Sequence, residues 1–346
     1  MRRDAPDRCP GAVQVHQAAD GGLARVRLPG GRLTAAQLDV LRVAAAELGD
    51  PVLELTSRAN IQVRALRPGS EVELGARLAA AGLLPSETHE RVRNIIASPL
   101  GGPDIQRKVA AFDALLCATP ALAALPGRFL ATIDDGRGDV TPLGGDVGLH
   151  GDRLTLAGRP TDARGGAELL VKAALAFLAE RSAQGSPAWR LAELDDGPSR
   201  VAARLGLSIS SAFIATTTEI PGVLVPLGLL TGAQAAALSG AADEIIVTPW
   251  RSVVLPPGTM TQAVAAAGLI ADPGSPWAGI TACAGRPGCG KALADVRADA
   301  RAALAAHELP IHWAGCERRC GAPRGRHVEM VATGVGTGVV YQRATV

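Results

Sequence analysis

Apolar positions recur in short runs from residue 13 to residue 28, with Val13, Val15, Leu23, Val26 and Leu28 as candidate core positions. Gly21-Gly22 reads as the turn between two strands there, and Pro29-Gly30-Gly31 ends the run. Thr34 then stands where a helix N-cap belongs, ahead of a helix over 35–48. Leu38, Leu41 and Ala45 fall on one face of that helix, and Gly49 stops it. A strand over 51–56, a polar segment Ser57-Arg58-Ala59-Asn60, a strand over 61–63 and a helix over 71–82 follow.

This unit has a counterpart later in the chain. Pro29-Gly30-Gly31-Arg32-Leu33-Thr34-Ala35-Ala36-Gln37 aligns with Pro226-Leu227-Gly228-Leu229-Leu230-Thr231-Gly232-Ala233-Gln234, with six of nine positions identical. In both places a helical segment comes next, then a strand ending in threonine, Thr56 or Thr248. An arginine stands within three residues of each threonine, Arg58 and Arg251. Chance recurrence in an Ala-, Gly- and Leu-rich chain accounts for the helix composition but poorly for the ordered Pro–Gly–Leu–Thr–Gln match. An internal duplication predicts a pseudo-twofold α+β core.

Between the copies the pattern predicts helices over 107–116 and 166–181, strands over 129–134 and 153–156, and a loop over 183–187. After the second copy, 290–307 reads as a helix with Val296, Ala300 and Leu304 inward, beginning immediately after Cys289. A short strand over 310–313 follows it.

At 346 residues the chain has room for about two domains by length alone. Lys+Arg 35 against Asp+Glu 33 gives no basic excess for nucleic acid, and aromatics at 3% leave little for base stacking. Only Lys108, Lys172 and Lys291 are lysines, so the cationic chemistry is almost all arginine. The first residues, Met1-Arg2-Arg3-Asp4, lack an apolar signal region, and the apolar stretches at 223–230 and 263–270 are too short to span a bilayer. The expectation is a cytoplasmic protein with neither nucleic-acid nor membrane partners.

Six cysteines in so long a chain do not read as a disulfide framework. Four of them form two close pairs, Cys283-x5-Cys289 and Cys316-x3-Cys320, separated by one helix and one strand. Such a set of thiolates suits a [4Fe-4S] cluster or a tetrahedral zinc, and the x5 spacing is wider than structural zinc usually takes. Unligated thiols are the bland alternative. Gly285, Gly288, Gly290, Gly315 and Gly321 crowd these cysteines, which would let backbone N–H groups reach bound sulfur. Cys117 reads as a buried thiol, and Cys9 has no such company.

Arg58, Arg91, Arg93 and Arg128 stand at segment ends beside Gly or Pro. Guanidinium forks there suit carboxylates, and a solvated basic face is the competing reading. Asp134, Asp135 and Asp139 form either an acidic site or, more simply, a solvated turn around Gly136. None of His16, His89, His150, His307, His312 and His327 forms a metal triad by local spacing, and none is assigned to catalysis.

Taken together these motifs resemble the nitrite/sulfite reductase superfamily, and within it the precorrin-3B synthases of aerobic cobalamin biosynthesis. Thr56-Ser57-Arg58-Ala59-Asn60-Ile61-Gln62 and Arg91-Val92-Arg93-Asn94 look like the family's two tetrapyrrole-contact motifs, and the four cysteines match its cluster spacing. The resemblance implies an α+β fold with duplicated ferredoxin-like half-domains and a cluster-binding C-terminal region. Its divisions would be a first half-domain over 9–85, a reductase-like α/β domain over 86–205, a second half-domain over 206–272 and a [4Fe-4S]-binding domain over 273–346.

The resemblance further implies that Cys283, Cys289, Cys316 and Cys320 hold a [4Fe-4S] cluster beside an additional iron centre, either non-haem iron or siroheme. In the siroheme enzymes the last of the four would bridge to the haem iron. Arg58, Arg93, Arg128 and Arg251 would bind tetrapyrrole or substrate carboxylates. The implied reaction is O2-dependent hydroxylation of precorrin-3A at C-20 with γ-lactone formation, with electrons from an NADH-linked or ferredoxin-like donor. A siroheme-dependent sulfite or nitrite reductase is the alternative, and a non-catalytic iron–sulfur carrier or sensor is a third. Two departures bear on the choice. Where the reductases carry a Lys-x-Lys pair this chain has Arg128 and Leu130, and its last cysteine pair encloses Glu317-Arg318-Arg319. Anion reduction needs cations and protons beside the bound anion, and Leu130 supplies neither.

Overall fold

The computed structural model describes residues 9–210, 221–323, 325–334 and 340–346. The charged segment at residues 1–4 and the stretch 211–220 of the expected second half-domain lie outside the described residues. The chain forms two compact units, each interleaved in sequence.

The first unit comprises 1–14, 26–32 and 79–221. Its sheet runs, in spatial order, Arg159–Arg164, Arg153–Leu156, Val147–His150, Ala131–Asp134 and Ile95–Ala97. The last three strands are parallel, and their residues are buried almost throughout. Helices Gly102–Ala118 and Ala167–Ala183 share one apolar core with this sheet, centred on Phe112, Phe129 and Phe177. Ile105, Val109, Phe112 and Leu116 follow helical spacing on the buried face of the first helix. That helix starts five residues earlier than the sequence pattern suggests. Pro103 lies in its first turn, where a missing N–H costs no hydrogen bond.

Two buried carboxylate arrangements hold this unit's connections. The Arg93 fork donates to both oxygens of Asp113, at 2.7 Å each, away from solvent. Asp134 has no exposed surface and accepts from the N–H groups of Gly136, Gly138, Val140 and Thr141 and from the Thr141 hydroxyl. Burial opposes ionisation of Asp134, but the Gly138, Thr141 and Gly136 donors outweigh it and hold the carboxyl below its ordinary value. The acidic segment is thus a turn around Gly136, as one reading of the sequence has it, but its first carboxylate is buried rather than solvated.

The second unit comprises 15–25, 33–78 and 222–346. One of its sheets orders His16–Ala18, Gly21–Val26, Ile61–Leu66, Leu53–Leu55 and Leu229–Leu230. A second orders Val223–Leu224, Ser252–Val254, Glu244–Val247 and Arg32–Thr34. The segments that repeat in sequence therefore trade strands. Leu229 and Leu230 pair with Glu54 and Leu53, while Arg32–Thr34 borders Glu244–Val247. The turn of the first hairpin falls before Gly21 rather than on Gly21-Gly22, because Ala18 pairs with Gly21.

Local geometry repeats along with the sequence. Both 3-10 turns hold two successive residues at positive φ, Gly30 (65°) and Gly31 (73°) in one, Leu227 (55°) and Gly228 (73°) in the other. Leu227 adopts a conformation that disfavours a side chain by about 1–2 kcal/mol, and its burial in an apolar cluster offsets this. Thr34 with Gln37 and Thr231 with Gln234 form the same reciprocal capping box ahead of helices Ala35–Leu48 and Gly232–Ala241. Between capping threonine and turn threonine the second copy is five residues shorter, and its helix is correspondingly short. The third sheet, Ile280–Ala282, Ile311–Ala314, Val328–Thr333 and Val340–Thr345, packs Ala282 and Trp313 against helix Val296–Ala302.

Two outcomes follow from the buried carboxylates. Arg93→Ala leaves Asp113 without its partner and is expected to lower stability by about 3 kcal/mol, read by urea denaturation. Asp134→Asn turns an amide N–H2 toward N–H donors and is expected to cost about 2 kcal/mol at pH 7. The carboxyl is depressed in the folded state, so its contribution is complete above the unfolded value of about 4 and fades as pH falls through the folded one. The gap between wild type and variant should therefore narrow in denaturation curves taken at progressively lower pH.

Candidate functional site

Parallel pairing delivers the cysteines. Ile280–Ala282 runs beside Ile311–Ala314 with Ala282 opposite Trp313, so Cys283 and Cys316 leave adjacent strand ends in the same direction. Cys283 N–H donates to the Trp313 carbonyl at 2.9 Å, and Gly315 N–H donates to Cys283 Sγ at 3.2 Å. Gly315 permits a close approach between the two cysteine loops. A Cβ there would meet Ala292 Cβ at 2.7 Å.

The loop carrying Cys289 is wound rather than helical. Cys289 N–H bonds the Gly285 carbonyl, Arg286 N–H the Ala294 carbonyl, and Leu293 N–H the Gly315 carbonyl. Within the span 290–307, the Leu293 N–H and the Ala294 carbonyl are thus turned to partners outside any helix. The helix expected over 290–307 is accordingly Val296–Ala302, capped by the Asp295 side chain on Ala298 N–H. Its N-terminus does not follow Cys289 directly.

The four thiols share one neighbourhood. Burial pushes the Cys320 thiol up from its ordinary value, and Cys283, Cys316 and Cys289 push it further. All four cysteines are free of disulfides. Four thiols without imidazole or carboxylate are the soft donor set that iron–sulfur clusters and zinc take. Cys117, half-buried, has a thiol raised chiefly by burial, and Cys9 Sγ lies 3.9 Å from Arg27 Nη2.

The four expected arginines have different surroundings. Arg58 and Arg251 belong to the second unit, Arg93 and Arg128 to the first. Arg58 lies in a turn closed by Thr56, whose Oγ1 accepts from the N–H groups of Arg58 and Asn60. Thr248 closes the equivalent turn, its Oγ1 accepting from Trp250 and Ser252. Residue for residue, Trp250 therefore stands in the place of Arg58, and Arg251 (φ 60°) in that of Ala59 (φ 55°). The Arg251 guanidinium reaches the Gly321 carbonyl, one residue beyond Cys320, at 3.4 Å. Loss of water around it, together with nearby Arg297, pushes its pKa down to about 10, while Glu54 opposes the shift. The Arg93 fork is filled by Asp113, and Arg128 is exposed over the Trp189 ring, 4.8 Å from its centroid. Leu130 is buried, with its N–H on Asp146.

Three further residues enter the cysteine region with no local sequence signal. Arg64 Nη2 donates to the Gly288 carbonyl at 2.7 Å, next to Cys289, and pairs with Asp20. Arg297 Nε donates to the Cys283 carbonyl at 3.3 Å, and its Nη2 lies 2.6 Å from Glu54 Oε1. Glu54, buried on strand Leu53–Leu55, also faces Arg64 at 3.6 Å and accepts from Gln62 Nε2. On strand Ile311–Ala314 His312 is buried with Nδ1 on the Thr281 hydroxyl. Burial, then Arg251 and His327, push its pKa down to about 3, so it is neutral at pH 7. In the first unit, ligand oxygens of Asp134, Asp135 and Asp139 lie within 4.8 Å of one another, close enough for a cation to bridge. Among the described residues no helix is long and apolar enough to cross a membrane.

Known proteins share parts or all of this architecture. Residues 16–81 match the nitrite/sulfite reductase ferredoxin-like half domain. A precorrin-3B synthase from a Sinorhizobium species is 26% identical across 99% of this chain and 84% of its own length. A ferredoxin–nitrite reductase from Synechococcus elongatus is 37% identical over 84 residues, 24% of this chain and 16% of the reductase. The solved structure of the Mycobacterium tuberculosis NirA protein superposes with a TM-score of 0.69 at 19% identity, covering 93% of this chain and 74% of that one, and shares its α+β fold. These likenesses are to the nitrite/sulfite reductase half domain over residues 16–81, to one relative along nearly the whole chain, and to the NirA protein in fold.

Proposed function

We propose that the chain is an oxidoreductase that holds a [4Fe-4S] cluster on Cys283, Cys289, Cys316 and Cys320 and works with a polycarboxylate tetrapyrrole. The observation that carries this reading is the exit of Cys283 and Cys316 from two adjacent parallel strands, with the Gly315 N–H on Cys283 Sγ and Cys320 within electrostatic reach of the other three thiols. The bound cluster would supply single electrons. The protein's part is to hold the thiolates, exclude water and present cations to the substrate. Arg251 is suited to the last task, being a partly enclosed guanidinium with no ion-pair partner among the described residues. Arg58 and Arg128 extend the carboxylate-binding role. Arg93 would contribute through the backbone its Asp113 pair fixes, since that pair occupies its fork. The duplicated ferredoxin-like half-domains, with the cluster in the C-terminal region, belong to the same proposal.

Two finer readings differ in what the tetrapyrrole is. A named ferredoxin–nitrite reductase, alike over an 84-residue segment, supports a siroheme-dependent sulfite or nitrite reductase, in which Cys320 would be the cysteine nearest the haem. The relative alike over nearly the whole chain supports a precorrin-3B synthase, which takes precorrin-3A and O2 with electrons from an NADH-linked or ferredoxin-like donor. Leu130 favours this second reading. It is sealed in the core where the reductases are expected to carry a second lysine, so it can present neither charge nor proton to a small anion.

The absorption spectrum of anaerobically purified protein separates these readings. Siroheme bands select the reductase. Broad sulfide-to-iron absorption without tetrapyrrole bands, together with oxygen uptake on adding precorrin-3A, selects the synthase. A colourless protein with one zinc per chain overturns the proposal. Cys320→Ser is expected to lower iron and acid-labile sulfide content. Arg251→Gln is expected to weaken tetrapyrrole binding about tenfold, the size of one charge-assisted hydrogen bond, measured by titration of the bound chromophore.

A further inference from the structure

We propose that Glu54, Arg64 and Arg297, joined by Arg251, form a partly buried charge cradle that positions the cysteine loops and sets the reduction potential of the cluster they hold. The inference rests on the cluster reading above and adds residues that no cysteine or tetrapyrrole motif contains.

Three guanidiniums reach backbone carbonyls at or beside three of the four cysteines. Arg297 takes Cys283 O, Arg64 takes Gly288 O, and Arg251 takes Gly321 O. They come from separate elements: the helix Val296–Ala302, the strand Ile61–Leu66 and the turn closed by Thr248. The loop geometry accommodates the contact, since a Cβ on Gly288 would stand 2.8 Å from Arg64 Nη2.

The charges are only partly balanced. Glu54 lies 2.6 Å from Arg297 and 3.6 Å from Arg64, and Asp20 accepts from Arg64 at 3.0 and 3.1 Å. Three guanidiniums therefore face two carboxylates, which leaves one positive charge within this set. Reducing a cluster adds one negative charge. A fixed positive charge in a site shielded from water favours the more negative state, and a fixed negative charge opposes it. Arg64 and Cys289 already interact electrostatically in this way. A purely structural clamp would hold the loops as well, but it makes a different prediction. Breaking either side of the Glu54–Arg297 contact would loosen the loops alike, whereas an electrostatic cradle responds with opposite signs.

The test is a redox titration of the reconstituted full chain, followed by absorbance and electron paramagnetic resonance, alongside the rate of iron loss to a chelator. Glu54→Gln should raise the midpoint potential and Arg297→Gln should lower it, while Arg297→Lys returns it toward wild type. Both Gln variants should lose iron faster than wild type. Potentials that stay fixed, or that shift in the same direction in both Gln variants, overturn the cradle while leaving the cluster assignment intact. If either Gln variant holds too little iron to titrate, Asp20→Asn and Arg251→Gln supply the same pair of opposite signs. A wild-type protein that takes up no iron–sulfur cluster defeats the underlying reading instead, and the cradle with it.

Discussion

Burying the Glu54 carboxylate requires cations around it. Removing such a group from water costs several kcal/mol, and only close, well-oriented partners offset that. Arg64 and Arg297 provide them, and each also donates to a carbonyl of the Cys283–Cys289 loop, Arg64 pairing with Asp20 besides. One buried anion thereby ties the first repeated segment to the cysteine loops. The wound backbone over 285–294, the late start of the helix at Val296 and the close approach at Gly315 are all compatible with loops held from two sides.

The repeated segments show how the same local chemistry carries different loads. A capping box starts both helices, and a threonine hydroxyl closes both turns. The left-handed position of the turn holds alanine in one copy and arginine in the other. That single difference sends a guanidinium toward Gly321 from the second copy only. Strand exchange between the copies buries Glu54 next to Leu229, where a strand of one copy completes the sheet of the other.

Much of the fold was legible because local rules govern it. The N-caps at Thr34 and Thr231 follow from a hydroxyl three residues before glutamine, and Leu38 and Leu41 from helical spacing. Local rules misled where a tertiary partner competed for the backbone. The periodicity of Val296, Ala300 and Leu304 extends a helix back to Gly290 on paper, but there the Leu293 N–H bonds Gly315 of the other cysteine loop and the Ala294 carbonyl accepts from Arg286. The helix predicted from residue 107 starts at Gly102, with Pro103 inside its first turn. Asp134 reads as a surface turn residue, and its five donors are visible only once the turn closes over it.

By itself the sequence determined the candidate ligand set: four cysteines at x5 and x3 spacing, of which Cys283 and Cys316 stand just beyond the ends of short strands. Those features depend on residue type and on separations of a few residues, which a linear reading contains. Only the tertiary structure decided which charges surround them. Arg64 and Gly288 are more than two hundred residues apart, Glu54 and Arg297 likewise, and no periodicity links positions across that distance. The same holds for the arginines. Arg93 and Arg251 look alike in sequence, but one is neutralised by Asp113 on a neighbouring helix and the other reaches the cysteine turn. A side chain's charge is written in the chain, whereas its counter-ion is chosen by the packing that brings distant segments together.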